Sequence, residues 1–313
     1  EVMAEWIIGG VPSIDISGAD VHRFEPYALS PSYILARSAQ SFREVYDIIH
    51  PQQPMEEPRP LRTSPFYPRQ KALGACFLEA SGWERPQWLE ANESLLDGRE
   101  VPDRGEWAGR YWSKIVAAEA LVTRERVALY DMTSLKKAEV TGPDALEFLQ
   151  RLTTGQLDKP AGKVTYTLML DSDAGIRSDV TVARLGEDQF QLGLNGPRDF
   201  EWMGRHLPSD GSVQVRDITP GTCCIGVWGP AARDVVQSLS EDDFSNEAFG
   251  FFNARRAYLR EVPVTALRLS YVGELGWEIY TSADLGLRLW DLLWEAGRPY
   301  GVLAGGLYGV ALG

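Results

Sequence analysis

The first 50 residues carry their apolar side chains in two patterns that predict different elements. Residues 6–8 form a short apolar run, which indicates a strand. From residue 31 to residue 49 the apolar positions recur every three or four residues, which predicts one amphipathic helix. The proline-rich segment 51–65 follows, and we interpret it as a connector because proline removes backbone donors and restricts the chain.

Beyond the connector, the spacing of apolar residues predicts a mixture of strands and helices. Alternating or β-branched runs indicate strands at 164–170, 179–185 and 189–195 and a hairpin over 264–282. Apolar positions on one helical face indicate helices at 142–155, 229–239 and 283–297. Since strands and helices do not alternate strictly, the pattern favours an α+β fold with mostly antiparallel sheets and packed helices.

Length and composition divide the chain into two unequal units. The 313 residues are 44% hydrophobic and 24% charged, which is typical of globular proteins. We expect a small unit at 1–57, which can bury little surface alone, and a larger unit at 58–313. The sequence opens on Glu1 without methionine and stops at Gly313 within an apolar run, so we expect a fragment of a larger protein.

Charge, hydropathy and cysteine content exclude several classes of function. A net charge of −13 opposes binding to nucleic acid and anionic lipid, and no apolar run is long enough to span a membrane. Three cysteines, with no metal-ligand spacing among cysteines and histidines, disfavour a disulfide framework or a zinc site, and we expect no metal. Adjacent Cys223 and Cys224 lie in an apolar stretch and are expected to be buried strand residues.

The segment 171–185 contains a cluster of aspartates at a turn. Asp171 and Asp173 fit the common pattern in which a turn aspartate bonds its own backbone. Asp179 differs because Val180 and Val182 take the apolar face of the following strand, so its carboxylate projects from the opposite face with Thr181.

A second candidate lies on the predicted hairpin over 264–282. Trp277 and Ile279 share the apolar face, which leaves Glu278 and Tyr280 on the other. Alternation alone favours a solvated Glu278 over a directed hydrogen-bond acceptor, because antiparallel sheets commonly keep one face wet. Tyr166, between apolar positions of a strand, is expected to pack in the core.

Several blocks in sequence order resemble the aminomethyltransferase (glycine-cleavage T-protein) fold. The resemblance covers about residues 58–313 and rests on the stretches 66–89, 127–152, 162–185 and 270–280. Trp-Glu-Arg-Pro at 83–86 and Ser-Asp at 178–179 are more similar to the folate-binding half of dimethylglycine and sarcosine dehydrogenases. Residues 4–24 and 32–51 are similar to the central domain of those flavoenzymes, which joins the flavin domain to the folate domain.

This resemblance implies a two-step demethylation of an N-methyl amino acid. In that family an FAD domain oxidises the amine to an iminium, and tetrahydrofolate bound by the folate domain traps the carbon as methylenetetrahydrofolate. Asp179 matches the catalytic aspartate of the family. A carboxylate beside the attacking nitrogen can accept its proton, which accelerates such reactions by roughly 10²- to 10⁴-fold.

The resemblance also implies a folate-binding set. Glu278 matches the glutamate that accepts hydrogen bonds from the pterin, and Tyr271, Tyr166 and Asn195 match further folate-binding positions. Phenylalanines 251 and 252 stand where the T-protein carries paired tyrosines, so contacts that need those hydroxyls are lost.

The family pattern is incomplete in this chain. The arginine that helps hold folate would follow the stretch 304–313, and the FAD domain would precede residue 1. We therefore expect the isolated chain to be inactive, to lack flavin and to bind folate weakly or not at all. The expected partners are tetrahydrofolate, an N-methylated amino acid and the flavin domain of the same polypeptide. The expected location is the bacterial cytoplasm or the mitochondrial matrix.

Two other functions stay open for the sequence. One is a stand-alone glycine-cleavage aminomethyltransferase, although such a protein has no central domain before its first block. The other is a non-catalytic folate-binding relative. Retention of Asp179 and Glu278 disfavours that second alternative.

Overall fold

The computed structural model describes residues 1–10, 12–14 and 16–307. Its α-helices are α1 (Val2–Gly9), α2 (Pro31–Glu44), α3 (Tyr67–Ala72), α4 (Glu106–Gly109), α5 (Ile115–Glu125), α6 (Ala145–Leu152), α7 (Pro197–Arg205), α8 (Ala232–Gln237) and α9 (Gly286–Gly297). Its strands are β1 (Ala75–Ala80), β2 (Trp83–Leu89), β3 (Ala128–Asp131), β4 (Lys136–Thr141), β5 (Val164–Leu170), β6 (Ile176–Arg184), β7 (Gln189–Leu194), β8 (Gln214–Asp217), β9 (Thr222–Trp228), β10 (Ala254–Leu259), β11 (Val262–Leu267), β12 (Gly276–Ser282) and β13 (Leu303–Gly305).

A five-stranded antiparallel sheet in the order β5-β6-β7-β4-β8 forms one half of the larger unit. One face of this sheet is buried against α6 and α7, and its core residues include Val180, Val182, Phe190 and Phe148. Because side chains alternate between faces, the intervening residues of β4, β6 and β7 project from the opposite face. That opposite face forms one wall of the site described below.

A six-stranded sheet in the order β10-β11-β12-β9-β3-β13 forms the other half. Its pairs are antiparallel except for β13, which lies parallel to β3. Trp277 and Ile279 of β12 pack with α8 and α9 on one face of this sheet. Cys224 and Trp228 of β9 are buried on the other face. Both faces of β12 are therefore covered by protein.

The N-terminal unit reaches the larger unit through the buried carboxylate of Glu25. Lys136 at the start of β4 lies 2.7 Å from Glu25, and Nη1 of Arg62 lies 3.7 Å from Oε1 of Glu25. Within the larger unit, Arg59 donates from Nε and Nη2 to the two carboxylate oxygens of Glu84 in β2, at 2.9 and 2.6 Å. Bidentate and partly buried pairs of this kind fix orientation more strongly than exposed ion pairs.

The predicted α+β class with mostly antiparallel sheets is confirmed, and so is the burial of Cys223 and Cys224. Two predictions in the N-terminal unit are wrong. Residues 6–8 belong to α1, where the Gly10 amide donates to the Trp6 carbonyl, because a helix satisfies its own backbone without a partner strand. The predicted helix 31–49 ends at Glu44 as α2, and Asp47 accepts from the Ile48 amide in the following turn. No helix of the described residues is long and apolar enough to cross a membrane.

A buried carboxylate joins α5 to the ends of two strands. Glu119 is fully buried and accepts hydrogen bonds from the Leu89 amide at 2.9 Å, the Asn92 side chain at 2.6 Å and the Gly306 amide at 2.8 Å. Burial raises the pKa of Glu119 to about 7, although these hydrogen bonds oppose the shift.

This carboxylate predicts a pH-dependent stability. The folded protein holds the Glu119 proton up to a pKa of about 7, whereas the unfolded chain releases it near 4.5. The Glu119 contribution to stability is therefore present below pH 4.5 and is lost as the pH rises to 7, by an amount of about 3 kcal/mol. Urea unfolding of the unsubstituted chain and of Glu119→Gln between pH 4.5 and pH 7 measures this loss of stability. The difference between the two unfolding free energies is expected to change with pH, and a constant difference would contradict this origin.

Candidate functional site

A cavity of about 330 Å³ lies between the two larger sheets. Its volume falls in the range of roughly 300–1,000 Å³ that is usual for small-molecule sites. It is lined by residues of β4, β5, β6, β7, β11 and β12 and of the loops before β4, β10 and β12. All five residues that the family resemblance singles out line this one cavity: Tyr166, Asp179, Asn195, Tyr271 and Glu278.

Strand register builds one wall of the cavity from a row of directly paired residues. Tyr166 of β5 pairs with Thr181 of β6, Thr181 pairs with Gly193 of β7, and Gly193 pairs with Lys137 of β4. The side chains of such a row share one sheet face. A Cβ added to Gly193 would meet only the Thr181 side chain, at 3.8 Å, so the middle of the row is a shallow notch.

The carboxylate of Asp179 is held at both oxygens. The Tyr166 hydroxyl donates to Oδ2 at 3.0 Å, and the Asn195 amide nitrogen donates to Oδ1 at 2.9 Å. The hydrogen bond to Asp179 raises the pKa of the Tyr166 hydroxyl, so the phenol stays the donor. Asp179 itself remains exposed. The carboxylate is therefore oriented by its neighbours and open to the cavity.

A buried aspartate at the start of α7 supports this arrangement. Asp199 accepts from the backbone amide of Asn195 at 2.8 Å and from the Ser178 hydroxyl at 3.1 Å. Burial raises the pKa of Asp199, and these hydrogen bonds oppose the shift. Asn195 also donates from its side chain to the Asp179 carbonyl at 2.9 Å. The position of Asn195 is thus fixed through both its backbone and its side chain.

The opposite wall of the cavity carries a buried glutamate. Glu278 has a relative exposure of 6% and accepts at Oε2 from the Tyr280 hydroxyl at 2.5 Å. Burial raises the pKa of Glu278, while the Tyr280 hydrogen bond and the nearby Lys137 ammonium lower it. Within the described part of the chain, no group donates to the second carboxylate oxygen, so Glu278 retains an acceptor facing the cavity.

Aromatic side chains and an unpaired hydroxyl complete the lining. Phe251 and Phe252 form an edge-to-face pair with ring centroids 4.5 Å apart, and Tyr271 is largely exposed beside them in the lining. Trp228 donates from Nε1 to the Leu269 carbonyl at 2.9 Å, which anchors the loop before β12. The buried hydroxyl of Ser270 has no hydrogen-bond partner among the described residues.

Some expectations for individual residues are corrected by this geometry. Glu278 is buried rather than solvated, because the five-stranded sheet covers that face of β12. Tyr166 has a relative exposure of 57% and lines the cavity instead of packing in the core. Asp171 is a turn aspartate as predicted, since it accepts from the Asp173 and Gly175 amides.

Sequence reasoning assigned no role to several polar residues of the cavity, among them Lys137, Ser270 and Tyr280. The alternation of Lys137 and Glu139 with buried Ala138 and Val140 was the available signal for Lys137. The predicted position of the folate arginine lies beyond the described residues. No group of three or more potential metal ligands occurs in residues 1–10, 12–14 and 16–307.

Comparison with known families and relatives agrees with this architecture. Residues 66–312 match the GCVT N-terminal domain, and residues 9–64 match the FAD dependent oxidoreductase central domain. The 4-methylaminobutanoate oxidase (formaldehyde-forming) of Paenarthrobacter nicotinovorans is 35% identical over 98% of this chain and 37% of its own length. Mitochondrial sarcosine dehydrogenase of Homo sapiens is 29% identical over 97% of this chain and 37% of its own length.

A solved structure supports the fold directly. The glycine cleavage system aminomethyltransferase T of Bartonella henselae superposes with a TM-score of 0.63 at 25% identity, over 80% of this chain and 61% of that protein. The chain spans a little over a third of the length of the two curated relatives above. It belongs to the family of the GCVT N-terminal domain, which in this chain follows an FAD dependent oxidoreductase central domain, and its curated relatives include sarcosine and dimethylglycine dehydrogenases.

Proposed function

We propose that this chain is the folate-binding, one-carbon-transfer part of an FAD-dependent dehydrogenase or oxidase of N-methyl amino acids. Asp179 is the catalytic residue, and Glu278, Tyr271, Tyr166 and Asn195 bind the folate. The observation that carries the proposal is the joint placement of an oriented, open carboxylate and a buried acceptor in one cavity.

The residues present fit the pterin ring of tetrahydrofolate. The ring presents a 2-amino group and a neighbouring N–H, which need an acceptor, and Glu278 retains one inside the cavity. Buried polar groups are rarely left without partners, so the unpaired Ser270 hydroxyl favours a polar ligand. Tyr271 and Phe251 add flat apolar surface at the same cavity.

Tetrahydrofolate, when bound, supplies the nitrogen nucleophiles that capture a one-carbon unit from an iminium. The contribution of this chain is to position that nitrogen and to take up its proton. Asp179 can hold the proton at a carboxylate oxygen, while Tyr166 and Asn195 keep the carboxylate in one orientation. Pre-organised groups of this kind act without reorientation during the reaction.

The rest of the proposed enzyme lies outside this chain. We propose that residues 1–57 complete a central domain and its connector, and that residues 58–313 form the folate domain. FAD then belongs to a separate domain of the same polypeptide, which oxidises an N-methylated amino acid. The match of residues 9–64 to a central domain supports this reading over a stand-alone aminomethyltransferase.

A calorimetric titration of tetrahydrofolate tests the proposal. In the polypeptide that carries this chain with its flavin domain, we expect saturable one-to-one binding. We expect weaker binding by the isolated chain, because it lacks the part of the site that we expect other residues of the polypeptide to supply. p-Aminobenzoylglutamate, which lacks the pteridine ring, serves as the control and is expected not to bind. Equal affinity for both compounds, or no binding of tetrahydrofolate, would contradict a pterin site.

A further inference from the structure

A buried lysine lines the same cavity and has no role in the function proposed above. Lys137 has a relative exposure of 2%, and its ammonium donates to the Thr133 carbonyl at 2.8 Å and to the Leu135 carbonyl at 2.6 Å. An ammonium has three N–H donors. In the described structure the third donor has no protein acceptor, and no carboxylate lies within ion-pair distance of Lys137.

The position of Lys137 in the sheet gives it access to a ligand. It ends the paired row that begins at Tyr166, next to the notch above Gly193. Lys137 and Glu278 line the same cavity from the two facing sheets. A donor and an acceptor are therefore presented together to whatever occupies the space between the sheets.

A buried cation without a paired anion is costly unless a ligand completes its hydrogen bonds. Two carbonyls anchor the Lys137 ammonium and leave one N–H for a ligand. That N–H can only donate, so it selects a carbonyl or another acceptor and rejects an amino group. The Ser270 hydroxyl cannot make this distinction, because it both donates and accepts.

We propose that Lys137 is a specificity-determining residue that donates to the 4-oxo group of the pteridine ring, beside the Glu278 carboxylate that accepts from its 2-amino edge. This inference rests on the proposed folate site. The edge of a 2-amino-4-oxopteridine presents two donors and then an acceptor, and the Glu278 and Lys137 pair is the complement of that order. The cavity therefore selects 4-oxo over 2,4-diamino pteridines.

The experiment compares tetrahydrofolate with tetrahydroaminopterin, which carries a 4-amino group in place of the 4-oxo group and therefore also lacks the hydrogen on N3. Dissociation constants are measured by calorimetry in the polypeptide that contains the flavin domain. The unsubstituted protein is expected to prefer the 4-oxo compound by about tenfold or more, the equivalent of one charge-assisted hydrogen bond. Lys137→Met is expected to reduce this preference, mainly through weaker binding of the 4-oxo compound, while the part that Glu278 contributes at N3 is retained. Lys163→Met is the matched control, since it makes the same change at an exposed lysine outside the cavity lining, and its preference is expected to stay unchanged.

The outcomes separate this inference from the proposed function. Failure of the unsubstituted protein to bind either compound overturns both. Tight binding of tetrahydrofolate with equal affinity for the 4-amino compound overturns only the role of Lys137. Equal affinity needs no variant, so it overturns the role of Lys137 even if Lys137→Met is too unstable to study. The role of Lys137 is also overturned if the preference stays unchanged in a Lys137→Met protein that circular dichroism shows to be folded.

Discussion

Replacing Asp179 with asparagine is expected to lower the rate of one-carbon transfer to tetrahydrofolate by about 10²- to 10⁴-fold. Asparagine has nearly the shape of aspartate, so the packing around position 179 is retained. It cannot accept a proton at the pH of the reaction. Its amide group also places a donor against one of the two present donors, the Tyr166 hydroxyl or the Asn195 amide. The substitution therefore removes both the base and part of its orientation.

The measurement is the yield of methylenetetrahydrofolate per N-methyl amine oxidised, in the polypeptide that contains the flavin domain. Amine oxidation by the flavin is expected to continue, so the carbon is released as formaldehyde instead. The matched control is Asp173→Asn, the same chemical change at an exposed residue of the turn before β6. Unchanged yield in Asp179→Asn would remove the catalytic role and favour a non-catalytic folate-binding relative.

The position of Asp179 on its sheet was predictable because alternation is a local property. Val180 and Val182 are buried on the helix-covered face of β6, as the spacing predicts, so Asp179 and Thr181 project from the other face. The hydrogen bond from Tyr166 was not predictable from spacing. It depends on the register between β5 and β6, which no local pattern in either strand specifies.

The burial of Glu278 shows where alternation stops being informative. A strand with one apolar face is compatible with a wet or a covered second face. Here the second face of β12 is covered by the five-stranded sheet, which comes from an earlier part of the chain. Lys137 was missed for the same reason, since a charged residue on an alternating strand usually faces solvent. The resemblance to a family identified Glu278 by position, whereas physical reasoning on one strand favoured the opposite environment.

A similar limit applies to the N-terminal unit. The run at residues 6–8 fits a strand or a helix equally well, because short apolar runs carry no period. In α1, Ile7 and Ile8 are largely exposed, so burial against the rest of this chain did not decide the outcome.

Replacing Glu278 with glutamine is expected to weaken tetrahydrofolate binding by about 2–4 kcal/mol, or roughly 30- to 1,000-fold. The carboxylate already accepts from the Tyr280 hydroxyl at Oε2 and has a further acceptor for the ligand. Glutamine provides one oxygen, so either Tyr280 or the pterin donor then faces an NH₂ group. Leaving a donor unpaired in a buried site costs more than the net value of the hydrogen bond itself.

The pH dependence of binding distinguishes this role from a general loss of stability. Burial raises the pKa of Glu278, and protonation would replace an acceptor with a donor. The affinity of the unsubstituted protein for tetrahydrofolate is therefore expected to fall as the pH drops through this raised pKa, whereas Glu278→Gln should show no such dependence. Glu274→Gln, in the loop just before β12, is the matched control because Glu274 contacts Arg124 at 3.4 Å rather than lining the cavity. If both variants weaken binding equally at every pH, the effect arises from the loop, and Glu278 is not the acceptor for the pterin.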